Sequence, residues 1–344
     1  MTGAATTSDT SGWTEPGAFE VSPGIHRIPL PLPNDGLRAV NVYAVSDGDF
    51  VVMIDSGWAL SGSKELLARS LDQIGYGLGD ISEFLVTHMH RDHYTQAVAV
   101  RREFGTRVSL GEGERPSLEI MLRRASQPLG DLPHLRAMGA AALVPELLAL
   151  GYEDADDTTW ERPDRWLTDS VEIPLRTRTL TAVHTPGHTQ GHLVFHDVAA
   201  NTLFAGDHVL PRITPSIGFE PAQGKSPLDD YLRSLELVRA MPNARLLPAH
   251  GPVTESTHAR IDELLDHHAT RLDLTLAAVT RGAHTAYEAA GQLGWTRRNL
   301  RPRELDLFNR MLTVTETSAH LETLVTRGQV LREVVDGVAC YQLA

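Results

Sequence analysis

Apolar and polar positions along this chain form short blocks that switch between a period of two and a period near 3.6. Ile25–Leu30, Val40–Val45 and Phe50–Ile54 read as strands, the last two joined by the turn signal Ser46-Asp47-Gly48. Ser63–Ile74 sets Leu66, Leu67, Ser70, Leu71 and Ile74 on one helical face. Phe84–Thr87 is a short buried strand running straight into His88, and Ala97–Phe104 is helical. Residues 114 to about 167 are rich in Leu, Met, Ala and Pro at helical spacing and lack strand signals, which predicts a helical insertion. Strand patterns return at Val171–Leu175, Thr179–Val183, His192–His196 and Thr202–Phe204. Leu228–Ala240 is an amphipathic helix, and Ala244–Leu247 is a strand that leads to His250. Strands alternating with helices predict an α/β architecture.

The pattern changes from about Thr257. Helices are expected at Ala259–Thr280, Thr285–Leu293 and Glu304–Arg327, then strands Gln329–Val335 and Val338–Leu343 around the hairpin signal Asp336-Gly337. Three helices and a terminal hairpin predict a winged-helix-like module. The expected organisation is a disordered, Thr/Ser/Gly-rich segment 1–18, a catalytic domain 19–256 and the winged-helix-like domain 257–344.

Composition narrows the function classes. A net charge of -13 repels phosphate backbones and anionic lipids unless a local basic patch overrides it. The single cysteine, Cys340, excludes an intrachain disulfide and a thiolate metal cluster, and reads as a small buried apolar residue on the wing. The start of the chain lacks signal-peptide patterning, and no run approaches ~18 apolar residues. A cytoplasmic, soluble protein is the expectation.

The chemistry is concentrated in Thr87-His88-Met89-His90-Arg91-Asp92-His93. Imidazole nitrogen and carboxylate oxygen are ligands for Zn, Fe and similar ions. In an extended loop His88 and His90 point the same way, while Asp92 and His93, past the turn at a helix start, can face a second ion. Three further candidates each sit where a strand hands over to a Gly/Pro turn. They are His188 in His184-Thr185-Pro186-Gly187-His188, Asp207 after Leu203-Phe204-Ala205-Gly206, and His250 in Pro248-Ala249-His250-Gly251-Pro252. Strand ends fix ligand geometry, which catalytic metal sites require.

These motifs, in this order, with an early strand ending at Asp55, resemble the metallo-β-lactamase superfamily over roughly residues 20–256. The resemblance implies an αββα sandwich with the site along one edge, carrying two divalent metal ions, Zn first, with Fe or Mn as alternatives. It implies that His88, His90 and His188 hold the first ion, that Asp92, His93 and His250 hold the second, and that Asp207 bridges them. True β-lactamases of the family usually carry Cys or Ser where this chain has Asp207, which resembles instead the thioesterase, lactonase and nuclease branches. Gly206-Asp207-His208-Val209-Leu210 and the winged-helix-like tail look most like the beta-lactamase-like protein 2 type, which includes endoribonucleases and acyl-carrier-protein thioesterase relatives. Tyr94 stands where many members have a small residue, and is expected either to contact substrate or to pack.

Two divalent ions about 3.5–4 Å apart bring the pKa of a shared water close to neutrality, which predicts a hydrolase with a hydroxide nucleophile. Asp92 is the candidate to orient that nucleophile or shuttle its proton, with Asp207 as the second catalytic carboxylate. Asp55 is expected to accept a hydrogen bond from a ligand imidazole. His184 and His192 read as structural, His208 as core or pocket wall, and His258, His267 and His268 as solvated. The leading function is hydrolysis of a small carbonyl substrate, a thioester, ester or lactone, with Met121, Leu122, Leu135, Met138 and Leu147 as candidate pocket walls. Endoribonuclease or phosphodiesterase activity ranks below it. Arg297, Arg298, Arg301 and Arg303 could contact phosphates, but residues after Thr257 carry ten Arg against eleven Asp and Glu. A non-catalytic nucleic-acid-binding regulator ranks last because the ligand set is complete. No membrane partner is expected, and a homodimer is the working expectation for assembly.

Overall fold

The structure is a computed structural model describing residues 12–33, 36–124, 132–149 and 160–344. Strands β1 (Phe19–Ser22), β2 (Ile25–Pro31), β3 (Ala39–Asp47) and β4 (Phe50–Ile54) form an antiparallel meander. Helix α1 (Ser61–Asp72), β5 (Ile81–Val86), α2 (Arg91–Phe104) and β6 (Arg107–Gly111) follow as parallel crossovers. Helices α3 (Arg115–Arg124), α4 (Pro133–Ala137) and α5 (Val144–Ala149) precede β7 (Arg165–Leu167), which closes a seven-stranded sheet in the order β1 to β7. The second sheet holds β8 (Val171–Pro174), β9 (Thr179–His184), β10 (Leu193–Asp197), β11 (Thr202–Gly206) and, after α6 (Pro227–Ala240), β12 (Arg245–Pro248). Its order is β12-β11-β10-β9-β8.

Three apolar layers result. Alternate residues of β3 face opposite ways, yet both sets are buried, so the strand reads as a continuous apolar run. Tyr43 and Val45 pack between the sheets with Phe195, Phe204 and Leu247. Val42 and Ala44 pack outward beneath Leu67 and Leu71 of α1 and Ala97 and Val98 of α2. The outer face of the second sheet, Val194, Leu203 and Leu246, is covered by α6 together with α7 (Thr257–Thr280) and α9 (Leu307–Thr326). This is the αββα arrangement.

The tail consists of α7, α8 (Ala286–Gln292), α9 and the hairpin β13 (Val330–Val335) and β14 (Val338–Leu343). Asp336 and Gly337 both have positive φ, 49° and 81°, with Val335 opposite Val338. That is the two-residue turn whose twist matches the strands it joins.

Several sequence expectations are corrected. The region 114–167 is helical only in part, since its end, Arg165–Leu167, is the edge strand β7. Residues 125–131 and 150–159 of the insertion, and 1–11 of the N-terminal segment, lie outside the described residues. A three-residue edge strand is too short to show a period, and β6 is likewise unread. Helix α2 begins at Arg91, not Ala97. His268 is fully buried, not solvated, with Nδ1 3.3 Å from His320 Nε2. It lies seven residues after Ile261 and four after Leu264, on the stripe of α7 that faces inward. His258 is half-buried, its ring bonded to the Met241 carbonyl, and Cys340 is half-buried on β14. No helix among the described residues is long and apolar enough to cross a membrane.

Candidate metal centre

The site forms where both sheets present strand ends to the same edge. β5 ends at Val86; the short loop Thr87–His90 follows, and α2 starts on His90 as its N-cap. Asp92 and His93 thus lie in the first turn of α2, where the helix dipole favours a carboxylate. His188 sits in the turn between β9 and β10. Asp207 follows β11 and His250 follows β12, two parallel neighbours held at their ends by the Ala249 amide donating to the Gly206 carbonyl at 3.0 Å. Gly206 has φ +50°, and a Cβ there would lie 2.7 Å from both His192 Nε2 and Thr87 Oγ1, so only glycine lets β11 approach the ligand loop this closely.

All seven expected side chains converge, in two adjoining groups that could each hold a metal ion among the described residues. In the first, His90 Nδ1 is 3.0 Å from His88 Nε2 and 3.0 Å from His188 Nε2, and His188 Nε2 is 3.4 Å from Asp207 Oδ2. In the second, Asp92 Oδ2 is 3.6 Å from His93 Nε2 and 3.5 Å from His250 Nε2. The other oxygen of Asp207, Oδ1, is 3.3 Å from His250 Nε2 and 3.7 Å from His93 Nε2. One carboxylate therefore addresses both groups.

The far sides of four of the five imidazoles are held, while His90 Nε2 is buried without a partner. His88 Nδ1 meets Thr87 Oγ1 at 3.0 Å, and His188 Nδ1 donates to the Ser216 carbonyl at 2.8 Å. His250 Nδ1 donates to the Ala39 carbonyl at 2.8 Å, and His93 Nδ1 to Asp55 Oδ2 at 2.9 Å. In a neutral ring, each of these outward N–H groups leaves the inward nitrogen as a lone pair. Asp55 also accepts the Thr87 amide at 2.7 Å. His192 has a structural part, as expected: it accepts the Asp207 amide at 3.2 Å, with Thr185 Oγ1 2.9 Å from its Nδ1. His184 Nε2 meets the Gln190 carbonyl at 2.7 Å, and His208 is core against Tyr231. Tyr94 packs: its ring stacks on Trp160 and its hydroxyl donates to the Glu161 carbonyl at 2.6 Å. Thr87, Ser216 and Ala39 escaped the sequence reading, two of them because a backbone carbonyl leaves no residue-type signal.

Charge gives an independent test of metal fit. Burial, then the neighbouring His188, pushes His90 down to about 3, and burial lowers His88 and His188 as well. These imidazoles are neutral, the state a metal requires. His93 goes the other way: burial opposes its proton, but Asp92, Asp55 and Asp207 outweigh burial and raise it to about 10. Asp207 is held down to about 2, its burial outweighed by His250, His93 and His188. Asp55, Asp92 and Asp207 all converge on the one raised imidazole, His93, and a cation would offset the remaining negative charge. His93 Nε2 and His250 Nε2 of the second group, and the Asp207 Oδ1 that faces them, are buried without a hydrogen-bond partner. The donors fit two borderline divalent ions. Asp55→Asn should weaken the second group's ion by about ten- to a hundredfold, read by zinc competition against a chromophoric chelator. Unchanged affinity would show that Asp55 does not orient His93.

The family model for the metallo-beta-lactamase superfamily matches residues 35–250. The lactamase-like protein adaB of Aspergillus niger is 27% identical over 245 residues, 71% of this chain and 60% of that protein. The chain thus spans less than two thirds of that relative. An atrochrysone carboxyl ACP thioesterase of Aspergillus fumigatus is 23% identical over 70% of this chain and 44% of its own length. The crystal structure of a metallo-beta-lactamase family protein from Thermus thermophilus superposes with a TM-score of 0.75 at 26% identity, covering 94% of this chain and 100% of that one. With the fold, the ligand edge and the family match in agreement, this chain belongs to the metallo-beta-lactamase superfamily.

Proposed function

We propose that this chain is a two-metal hydrolase of a carbonyl substrate, with a thioester ahead of an ester or lactone and zinc ahead of iron or manganese. The observation that supports it most is Asp207, whose two oxygens address the two groups His88/His90/His188 and Asp92/His93/His250. Two such ions, when bound, bring the pKa of water close to neutrality and polarise the scissile carbonyl. Asp92 stays ionised because His93 and His250 outweigh the burial that opposes its charge, so it can hold a proton during turnover.

The mouth of the site favours an apolar acyl group. Phe219 lies with its ring 6.3 Å from that of His90, and Phe308 of α9 meets Phe219 edge-on at 5.5 Å while 42% exposed. The pocket walls expected from the insertion are corrected. Leu135, Met138 and Leu147 belong to the core beneath α9, and Met121 and Leu122 flank the core under the first sheet. The basic run is a weak phosphate site, because the Arg297 and Arg301 guanidinium groups donate to the carbonyls of Arg212 and Gln292, each at 2.7 Å. Similarity to a thioesterase supports placing thioesters first in this reading.

The test is metal analysis with a panel of acyl-CoA, lactone, aryl ester and bis-aryl phosphate. Two ions per chain and turnover of a carbonyl substrate are expected; turnover of the phosphate alone would overturn the reading. Phe308→Ala should raise KM for a long-chain acyl substrate by on the order of tenfold and leave a short-chain one unaffected. Equal effects on both would remove Phe308 from the substrate wall.

A further inference from the structure

Three loops meet behind His188. One is Gly111–Glu114, leaving β6 for the insertion. The second is Thr189–Gly191, directly after His188, and the third is the stretch 216–224 before α6, which supplies the carbonyl that holds the His188 ring. Glu114 is fully buried and accepts the Thr189 hydroxyl in a short hydrogen bond. Glu220 accepts the Gln190 amide at 3.0 Å and the Ser117 hydroxyl of α3 at 2.7 Å. The two residues that follow His188 are thus each tied to a carboxyl group, from two different loops.

Backbone packing makes the tie rigid. A Cβ on Gly191 would lie 2.1 Å from the Glu114 amide nitrogen, and one on Gly113 would lie 2.5 Å from the Gln190 carbonyl oxygen. These segments touch main chain to main chain, so one cannot shift without the other. Burial, reinforced by Glu220, pushes the Glu114 carboxyl well above the usual carboxylate range. Burial thus favours the neutral carboxyl, to which glutamine is close to an isostere.

We infer that Glu114 and Glu220 are positioning residues for His188, fixing the backbone after it so that its imidazole reaches the first metal group. The inference rests on the two-metal reading for its consequence, not for its geometry. Neither residue touches substrate. Their effect passes through Thr189 and Gln190, and it couples the first group to the entry of the helical insertion.

The experiment compares Glu114→Ala, Glu114→Gln and Thr189→Val with the unmutated protein, using zinc competition against a chromophoric chelator. His188→Ala identifies which zinc equivalent belongs to the first group. Glu114→Ala and Thr189→Val should weaken that equivalent about ten- to a hundredfold and leave the other unchanged, with Glu114→Gln restoring it. Thr189→Val keeps the side-chain volume, so it serves if Glu114→Ala does not fold. Equal weakening of both equivalents, or of neither, overturns the inference. Amide hydrogen exchange at residues 188–191 of the metal-free protein gives a second readout, expected to quicken in Glu114→Ala and Thr189→Val but not in Glu114→Gln. Unchanged exchange overturns the positioning role whether or not zinc binds. Absence of zinc binding in the unmutated protein would overturn the two-metal reading alone.

Discussion

Asp207→Ala should reduce turnover of the accepted carbonyl substrate by on the order of a thousandfold or more, the loss expected when a charge at the reacting centre is removed. It should also lower metal content below that of any single-histidine variant. The reason is geometric: among the described residues Asp207 alone faces both groups, with one oxygen 3.4 Å from His188 Nε2 and the other 3.3 Å from His250 Nε2. His93→Ala, which removes a donor of the second group only, should abolish turnover too but retain about one ion per chain. Metal analysis beside kcat separates the two outcomes. Full activity in either variant would end the two-metal mechanism.

Removing the ions should lower the thermal midpoint sharply and reversibly. Free metal at a thousand times Kd stabilises the folded state by about 4.1 kcal/mol per site. For two sites in a chain of this size the midpoint should fall by on the order of 10 °C with an excess of chelator. The electrostatics adds to this. Without ions, Asp55, Asp92 and Asp207 are enclosed with a protonated His93 as the main compensation. Zinc in excess should restore both midpoint and turnover. A midpoint indifferent to chelator and to added zinc would mean that the seven side chains hold no ion.

Much of the ligand edge was legible because its signals are local. A strand of apolar residues followed at once by HxHxDH places alternate side chains on one side, and the period of an extended chain guarantees it. Gly/Pro turns after β9, β11 and β12 mark strand ends for the same reason. The Asp336-Gly337 hairpin and the strand Phe50–Ile54 appear where the pattern puts them. Short elements were illegible: Arg165–Leu167 is too brief to carry a period, and it became a strand only because β6 offered it an edge.

By itself the sequence determined which residue types stand at strand ends, hence the seven candidate donors and the superfamily, because those depend on neighbours a few positions apart. Only the tertiary structure decided what each donor leans on. His250 depends on a carbonyl 211 positions away, His268 turns inward to meet His320, and Glu114 reaches Thr189 across 75 residues. Such pairings are set by sheet register and helix packing, which bring distant main-chain groups together without any local pattern to announce them.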